Sequence, residues 1–347
     1  MRSFNRVWLP RLRYLGALLW VFGFILLTPL LIVPFRPEIT FSLTTILPFI
    51  VPALISLLVG GLLNRSISFR PLSGTGALMV VSWGWLLVSI VGAIPFVLGL
   101  HISFLNAFFE ATSGFTTTGI TLLSGLDAMP PHILFWRSLT QWIGGLGILT
   151  FFLVLVFRGE TSHKLFGAES HKIMSERPAP GMFHTLRILW SIYGLFTALT
   201  ALILLLEGVS WFDALNHSLT ALSTGGFSTH DASIDYFRRA GFGNYRLIEY
   251  TLIGSMALGG MSFVVHYRVL RGEIRALWDG IEIRLFWKII AFSAAVVTLS
   301  HMQEFGFSNF FSTIRYSLFQ VVSLVTSTGY ATKDIGALFF PVLAKQI

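Results

Sequence analysis

Three short runs in this chain end in a hydroxyl-rich turn closed by glycine: Thr116-Thr117-Thr118-Gly119, Ser223-Thr224-Gly225-Gly226 and Thr326-Ser327-Thr328-Gly329. Glycine can adopt positive φ, so a turn of this kind can face consecutive carbonyls to one side. A ring of such carbonyls, with Thr and Ser hydroxyls below, can replace the water around a dehydrated cation. Short helices leading into the turns add their partially negative C-termini, which again suits a cation and not an anion. The closing glycines are 107 and 103 residues apart. That regularity is an internal repeat at domain scale, so the turns are expected to act together.

The elements that must position them follow from composition. Of the 347 residues, 54% are hydrophobic and 12% charged, against about 25% charged in an ordinary soluble domain. The mean hydropathy is +0.75. An all-α integral membrane protein is implied, since a spanning helix needs roughly 20 apolar residues and such runs recur along the chain. The net charge of +8 is spread over short loops, with no dense basic block, and points to the membrane and its lipid, not to nucleic acid. The absence of cysteine excludes disulfides and thiolate metal sites. Arg2, Arg6, Arg11 and Arg13 precede the first apolar run, which is too long for a signal-peptide core and is expected to be a retained span.

Expected spans are Tyr14 to Val33, Leu47 to Leu63 and Thr75 to Leu100, with Pro95 expected to kink or end the third. A short element, Phe104 to Phe115, leads into the first turn, and a fourth span, His132 to Phe157, starts after Pro130-Pro131. Gly144, Gly145 and Gly147 offer that span a flat face for close helix approach. The order repeats as span Leu186 to Leu206, short element Trp211 to Leu222 and span Tyr245 to His266, then as span Leu285 to Leu299 and short element Phe307 to Val325. The division is therefore a two-helix extension, 1–70, a first membrane helix–pore helix–membrane helix unit with its linker, 71–183, a second, 184–284, and a partial third, 285–347.

Placing the N-terminus in the cytoplasm puts 16 of the 24 Lys and Arg residues on that side. Arg36, Arg137, Arg238, Arg239, Arg246, Arg315 and Lys333 fall outside, where all three short elements then open. Glu110, Asp127, Asp213, Asp231, Asp235, Glu304 and Asp334 are expected on the same side. They can raise the local cation concentration, although each alone reads better as a solvated loop acid or cap. Glu110 lies inside its short helix, where burial without a partner is costly.

Other chemistries fit less well. None of the nine histidines forms His-Glu-x-x-His, and His163, His171 and His184 lack ligand spacing. His217 and His266 read as hydrogen-bonded structural residues. Gly145-Leu146-Gly147 lacks the third glycine of a dinucleotide fingerprint. An intramembrane enzyme is therefore disfavoured and no organic cofactor is expected. Secondary transporters with broken helices commonly have inverted repeats, whereas these run in one direction.

The stretch Phe109-Glu110-Ala111-Thr112-Ser113-Gly114-Phe115-Thr116-Thr117-Thr118-Gly119, with Gln141-Trp142-Ile143-Gly144-Gly145-Leu146-Gly147, resembles the Trk/Ktr/HKT superfamily of potassium transporters, most closely the Trk-type membrane subunit. The resemblance implies four pore units around one K+ pathway, with Thr116, Thr117, Thr118, Gly119, Ser223, Thr224, Gly225, Gly226, Thr326, Ser327, Thr328 and Gly329 lining the filter. It further implies K+ as the transported ion, a bacterial inner membrane, a homodimer and a cytoplasmic nucleotide-binding regulatory subunit docking on Arg158 to Phe183 and Arg268 to Arg284. Glycine in all three turns implies potassium over sodium. Only 18 residues follow Gly329, so the fourth unit is expected to lie beyond a truncated chain or to come from a partner; a less selective Na+/K+ transporter or a non-conducting subunit are the alternatives.

Overall fold

A computed structural model describes residues 2–36, 41–67, 72–147, 150, 182–306 and 309–333, and every regular element among them is helical. The helices are α1 (Arg2–Ile25), α2 (Leu43–Ser66), α3 (Gly74–Leu100), α4 (Phe104–Phe115), α5 (Pro131–Gly145), α6 (Met182–Leu206), α7 (Trp211–Leu222), α8 (Asp235–Arg239), α9 (Tyr245–Gly260), α10 (Phe263–Leu270), α11 (Ile281–Phe305) and α12 (Phe310–Val325). Five stretches are long and apolar enough to cross a membrane, Leu9–Phe35, Leu43–Ser66, Gly74–Leu100, His184–Leu206 and Ile281–Glu304, and six if the bent pair α9–α10 counts as one. The first of these is not one regular helix. It breaks ahead of Thr28-Pro29 into a 3-10 segment, Thr28–Phe35.

The chain divides into two units, Met1–Thr116 with Ile120–Leu123 and Ala128–Trp190, and Thr117–Gly119 with Ser124–Asp127 and Ser191–Ile347. In the first, α1 and α2 lie so close that a Cβ on Gly60 would stand 2.5 Å from the Gly16 carbonyl oxygen. Small residues are what allow backbones to approach this way in a membrane. The core beside them holds Phe22, Phe49, Phe115 and Trp136 edge-to-face or tilted, and the Trp136 indole donates to the Gly92 carbonyl at 3.0 Å. A buried indole N–H without an acceptor would be costly, so this bond fixes α5 against α3. In the second unit the core gathers Ile248, Leu252 and Met256 of α9 with Phe319, Val321 and Val322 of α12.

Two of the three short helices match their expected limits because serine starts them, whereas the third, expected from Phe307, begins at Phe310 after Asn309, which makes no side-chain cap bond. Ser103 Oγ accepts from Asn106 N–H and Ser210 Oγ from Asp213 N–H, each satisfying a first-turn donor. Of the two outcomes expected at Pro95, a kink or an end, the end does not occur, since α3 continues to Leu100; one missing N–H within the last two turns costs a single hydrogen bond. The expected span Tyr245 to His266 is bent by 105° between α9 and α10. The expected span His132 to Phe157 is helical to Gly145, turns at Leu146-Gly147, and from residue 151 lies outside the described residues.

The two interruptions share a cause. A Cβ on Gly144 would stand 2.0 Å from the Phe115 carbonyl oxygen at the end of α4, and one on Gly259 2.3 Å from the Leu222 carbonyl oxygen at the end of α7. Each following membrane helix therefore touches the C-terminus of its short helix through a glycine and loses regularity just afterwards. Gly259→Ala and Gly144→Ala are each expected to cost about 1–3 kcal/mol or more by overpacking against backbone that cannot rotate away. Gly194, on α6 with open space around it, serves as control. Melting in detergent should fall for the first two and not for Gly194→Ala.

Candidate functional site

Each glycine turn takes the same backbone path. Thr117, Thr224 and Ser327, two residues before the closing glycine, have φ of 53°, 54° and 57°, and Gly119, Gly226 and Gly329 follow at 76°, 76° and 85°. For a non-glycine residue the left-handed region costs roughly 1–2 kcal/mol. Its occurrence at one place in all three copies marks a shape that the surroundings impose.

Hydrogen bonds show what imposes it in two of them. The N–H groups of Gly225 and Gly226 both donate to the Thr220 carbonyl, at 2.9 and 3.4 Å, and those of Thr328 and Gly329 to the Ser323 carbonyl, at 2.8 and 3.3 Å. Peptide planarity sets the carbonyls of Thr224 and Gly225, and of Ser327 and Thr328, on the opposite side of the same planes. They face away from the short helix. A Cβ on Gly119 would accordingly meet the Gly225 carbonyl oxygen at 2.2 Å, and one on Gly226 the Thr328 carbonyl oxygen at 1.7 Å. Thr117–Gly119, Ser223–Gly226 and Thr326–Gly329 are thus neighbours, Gly119 and Gly226 each facing the carbonyl that precedes the next repeat's glycine. Among the described residues nothing lies within 4 Å of the Gly329 Cβ direction.

The leading hydroxyls turn back to their helices: Thr116 Oγ1 donates to the Thr112 carbonyl at 2.7 Å, Ser223 Oγ to Thr220 at 3.2 Å and Thr326 Oγ1 to Val322 at 2.7 Å. Thr326 and Thr328 also share a 2.7 Å hydroxyl contact. Behind the first turn, the fully buried Glu110 has found its partner. Its carboxylate accepts from Arg137 Nε at 2.5 Å, from Thr121 Oγ1 at 2.9 Å and from Leu122 N–H at 3.3 Å. Arg315 Nε of α12 likewise reaches Glu249 of α9. A buried pair of this kind is costly to break by removing one partner. Neither Arg137 nor Arg315 is the solvated loop charge that a count of basic residues makes it.

Known proteins with this sequence pattern decide the family. Residues 53–342 match the family model described as TrkH, a cation transport protein. The chain belongs to the TrkH family. An uncharacterized cation transporter of Methanocaldococcus jannaschii is 34% identical over 330 residues, 94% of this chain and 64% of that protein. The Trk system potassium uptake protein TrkH of Escherichia coli K12 is 35% identical over 299 residues, 83% of this chain and 60% of that one. The crystal structure of the potassium transporter TrkH from Vibrio parahaemolyticus superposes with a TM-score of 0.80 at 29% identity, covering 97% of this chain and 68% of that one. This chain spans less than two thirds of the length of the first two. Membership in a cation transport family sets the enzyme reading aside.

In this TrkH-family chain Glu304 is exposed, while Asp213 and Asp235 are bonded within their own segments and Asp127 and Asp231 to each other's loops. Asp213 accepts from Ser210 and Thr229 hydroxyls, Asp231 from Leu126 N–H, and Asp235 from both Arg238 and Arg239. Asp334 lies outside the described residues. The residue that joins them is His230, which sequence reasoning missed. Its Nδ1 lies 2.5 Å from Asp127 Oδ1, its Nε2 is 3.4 Å from Asp213 Oδ1, and its ring stacks on Tyr236. Asp231 N–H also donates to Asp127, at 3.3 Å, and His217 is the other imidazole nearby. The loops after the first and second turns are clasped together.

Burial pushes the His230 imidazole down, but the carboxylates of Asp213 and Asp127 outweigh this and hold it above its ordinary 6.5. For Asp127, burial acts upward, but the bond and charge of His230 together with backbone N–H groups, Asp231 among them, outweigh it and leave the carboxyl below 3.8. The His230 contribution to stability is therefore complete below pH 6.5 and is lost as pH rises through the folded-state pKa; that of Asp127 is present above 3.8 and is lost in acid. Raising the pH from about 6 to about 9 should lower the melting temperature of the parent protein by more than that of His230→Gln. Parallel pH profiles for the two proteins would refute the clasp.

Proposed function

We propose that this chain carries potassium ions into the cell across the bacterial inner membrane, along a path lined by Thr116–Gly119, Ser223–Gly226 and Thr326–Gly329. What supports the reading above all is the approach of Gly119 to the Gly225 carbonyl and of Gly226 to the Thr328 carbonyl. Carbonyls gathered with their N–H groups bonded the other way form a field that a dehydrated cation satisfies. The named activity of the Escherichia coli and Vibrio relatives, potassium uptake and potassium transport, supports K+ as that cation. The repeats are 71–183, 184–284 and 285–347 after an extension 1–70, and a fourth filter segment completes the ring beside Gly329.

The N-terminus is cytoplasmic in this proposal. Four of the seven external basic residues are neutralised in place, Arg137 by Glu110, Arg315 by Glu249, and Arg238 and Arg239 by Asp235. Positive-inside bias then meets little opposition. The working assembly is a homodimer with a nucleotide-binding regulatory subunit on its cytoplasmic loops, of which 158–181 is outside the described residues.

Gly329→Ser is the informative substitution. Among the described residues its Cβ meets no neighbour, so within these three turns the variant carries only the roughly 1–2 kcal/mol of left-handed strain, whereas Gly226→Ser must displace the Thr328 carbonyl. Measured as Rb+ uptake with Na+ competition in uptake-deficient cells, normalised to the amount in the membrane, Gly329→Ser should admit Na+ more readily. Gly226→Ser should accumulate poorly. Unchanged ion preference in Gly329→Ser would sink the filter assignment.

A further inference from the structure

The three short helices carry different residues nine positions before their closing glycines: Glu110, His217 and Gln320. Two positions after the glycines stand Thr121, Ser228 and Ala331. In the first two repeats these positions are bonded to each other. Thr121 Oγ1 donates to the Glu110 carboxylate at 2.9 Å. His217 Nδ1 lies 2.8 Å from the Asp213 carbonyl, which can only accept, so Nδ1 carries the proton and Nε2 accepts from the Ser228 hydroxyl at 3.1 Å. A carboxylate and an imidazole, chemically unrelated, thus do the same thing. Each accepts a hydroxyl from the strand that leaves the glycine turn.

The third repeat reaches that end by another route. Ala331 has no hydroxyl, and Gln320 Oε1 is buried without a hydrogen-bond partner. The Ala331 N–H instead donates to Ser233 Oγ at 3.2 Å, and its carbonyl accepts from Ile234 N–H at 3.2 Å. Ser233 is itself held at φ 51°. One step nearer the glycine, Ser113 Oγ donates to the Ile120 carbonyl at 2.6 Å and Ser323 Oγ to the Tyr330 carbonyl at 2.8 Å. The exit of every turn is therefore tied down, and two of the three ties run through the side chain nine residues before the glycine.

We propose that Glu110 and His217 are positioning residues that set ion preference. By accepting the hydroxyls of Thr121 and Ser228, they fix the outer end of the carbonyl-bearing turn, and with it the spacing that a partly dehydrated ion meets. The first brace is the stiffer, because Arg137 and Leu122 N–H anchor the same carboxylate and a hydrogen bond to a charged group is stronger than one between neutral groups. The inference rests on the filter reading above.

Thr121→Val removes the brace and leaves the Glu110–Arg137 pair intact, while Thr121→Ser keeps the hydroxyl. Uptake of Rb+ against Na+ by the full-length protein in uptake-deficient cells, normalised to the amount in the membrane, is the readout, with Gly329→Ser as the filter control. Discrimination should fall by about tenfold in Thr121→Val, the worth of one hydrogen bond to a charged group, and be retained in Thr121→Ser. Ser228→Ala should lower it less. If Gly329→Ser shifts the ion ratio and Thr121→Val does not, or if Thr121→Val lowers both fluxes in proportion, the brace is merely structural and the proposal is overturned. If Gly329→Ser also leaves the ratio unchanged, the filter reading itself fails, and the two failures are told apart.

Discussion

A helix that stops inside an apolar slab must find partners for its last backbone groups without help from water, and the rest of this structure depends on how that is met. In the second and third repeats the answer is asymmetric. Two N–H groups after the helix fold back onto one carbonyl, Thr220 or Ser323. The opposed carbonyls are left facing the neighbouring turn, as Gly225 faces Gly119 and Thr328 faces Gly226. In the function proposed above, carbonyls turned outward while their N–H partners are bonded inward suit a cation, so that backbone satisfaction on one side supplies cation affinity on the other.

Holding that backbone in place is the task of contacts one layer out. The left-handed φ at Thr117, Thr224 and Ser327 stores strain of the order of 1–3 kcal/mol each, which persists only where surroundings over-determine it. Gly144 and Gly259 supply part of that, bringing the next membrane helix against the carbonyls of Phe115 and Leu222. A side chain there would push the helix off and release the turn. The buried pairs Glu110–Arg137 and Glu249–Arg315 supply another part, since each pins a residue of a short helix to its neighbouring membrane helix.

Elements governed by local signals could be read from the sequence, and those governed by tertiary neighbours could not. Phe104–Phe115 and Trp211–Leu222 begin at serine caps and end at glycine-containing turns, so both limits were legible. The bend after Gly260 was not, because the apolar run continues through it; only the Leu222 carbonyl and the Thr326 side chain beside Gly259 and Gly260 show why regularity fails there. Positive φ was expected at the glycines, yet Thr117, Thr224 and Ser327 share it, and no residue preference announces it. Arg137 and Arg315 count only as external charges in the sequence, and their carboxylate partners Glu110 and Glu249 are seen only in the structure. His230 looks like any loop histidine until Asp127, over 100 positions earlier, is brought beside it.

The repeats also show which features a shared site requires to be alike. At the left-handed residue and the closing glycine, φ agrees to within 10° across the three turns, as the proposed shared ion site requires of carbonyls contributed by different segments. The supporting side chains are under no such demand. Glu110, His217 and Gln320 differ in charge, size and hydrogen-bonding capacity, and the third turn is tied instead by Ser233 and Ile234. Acceptors of different chemistry at the right distance can each restrain the strand, so support can diverge while geometry cannot. That is why Thr116-Thr117-Thr118-Gly119 and its two counterparts are recognisable as copies, whereas the residues that hold them are recognisable only in three dimensions.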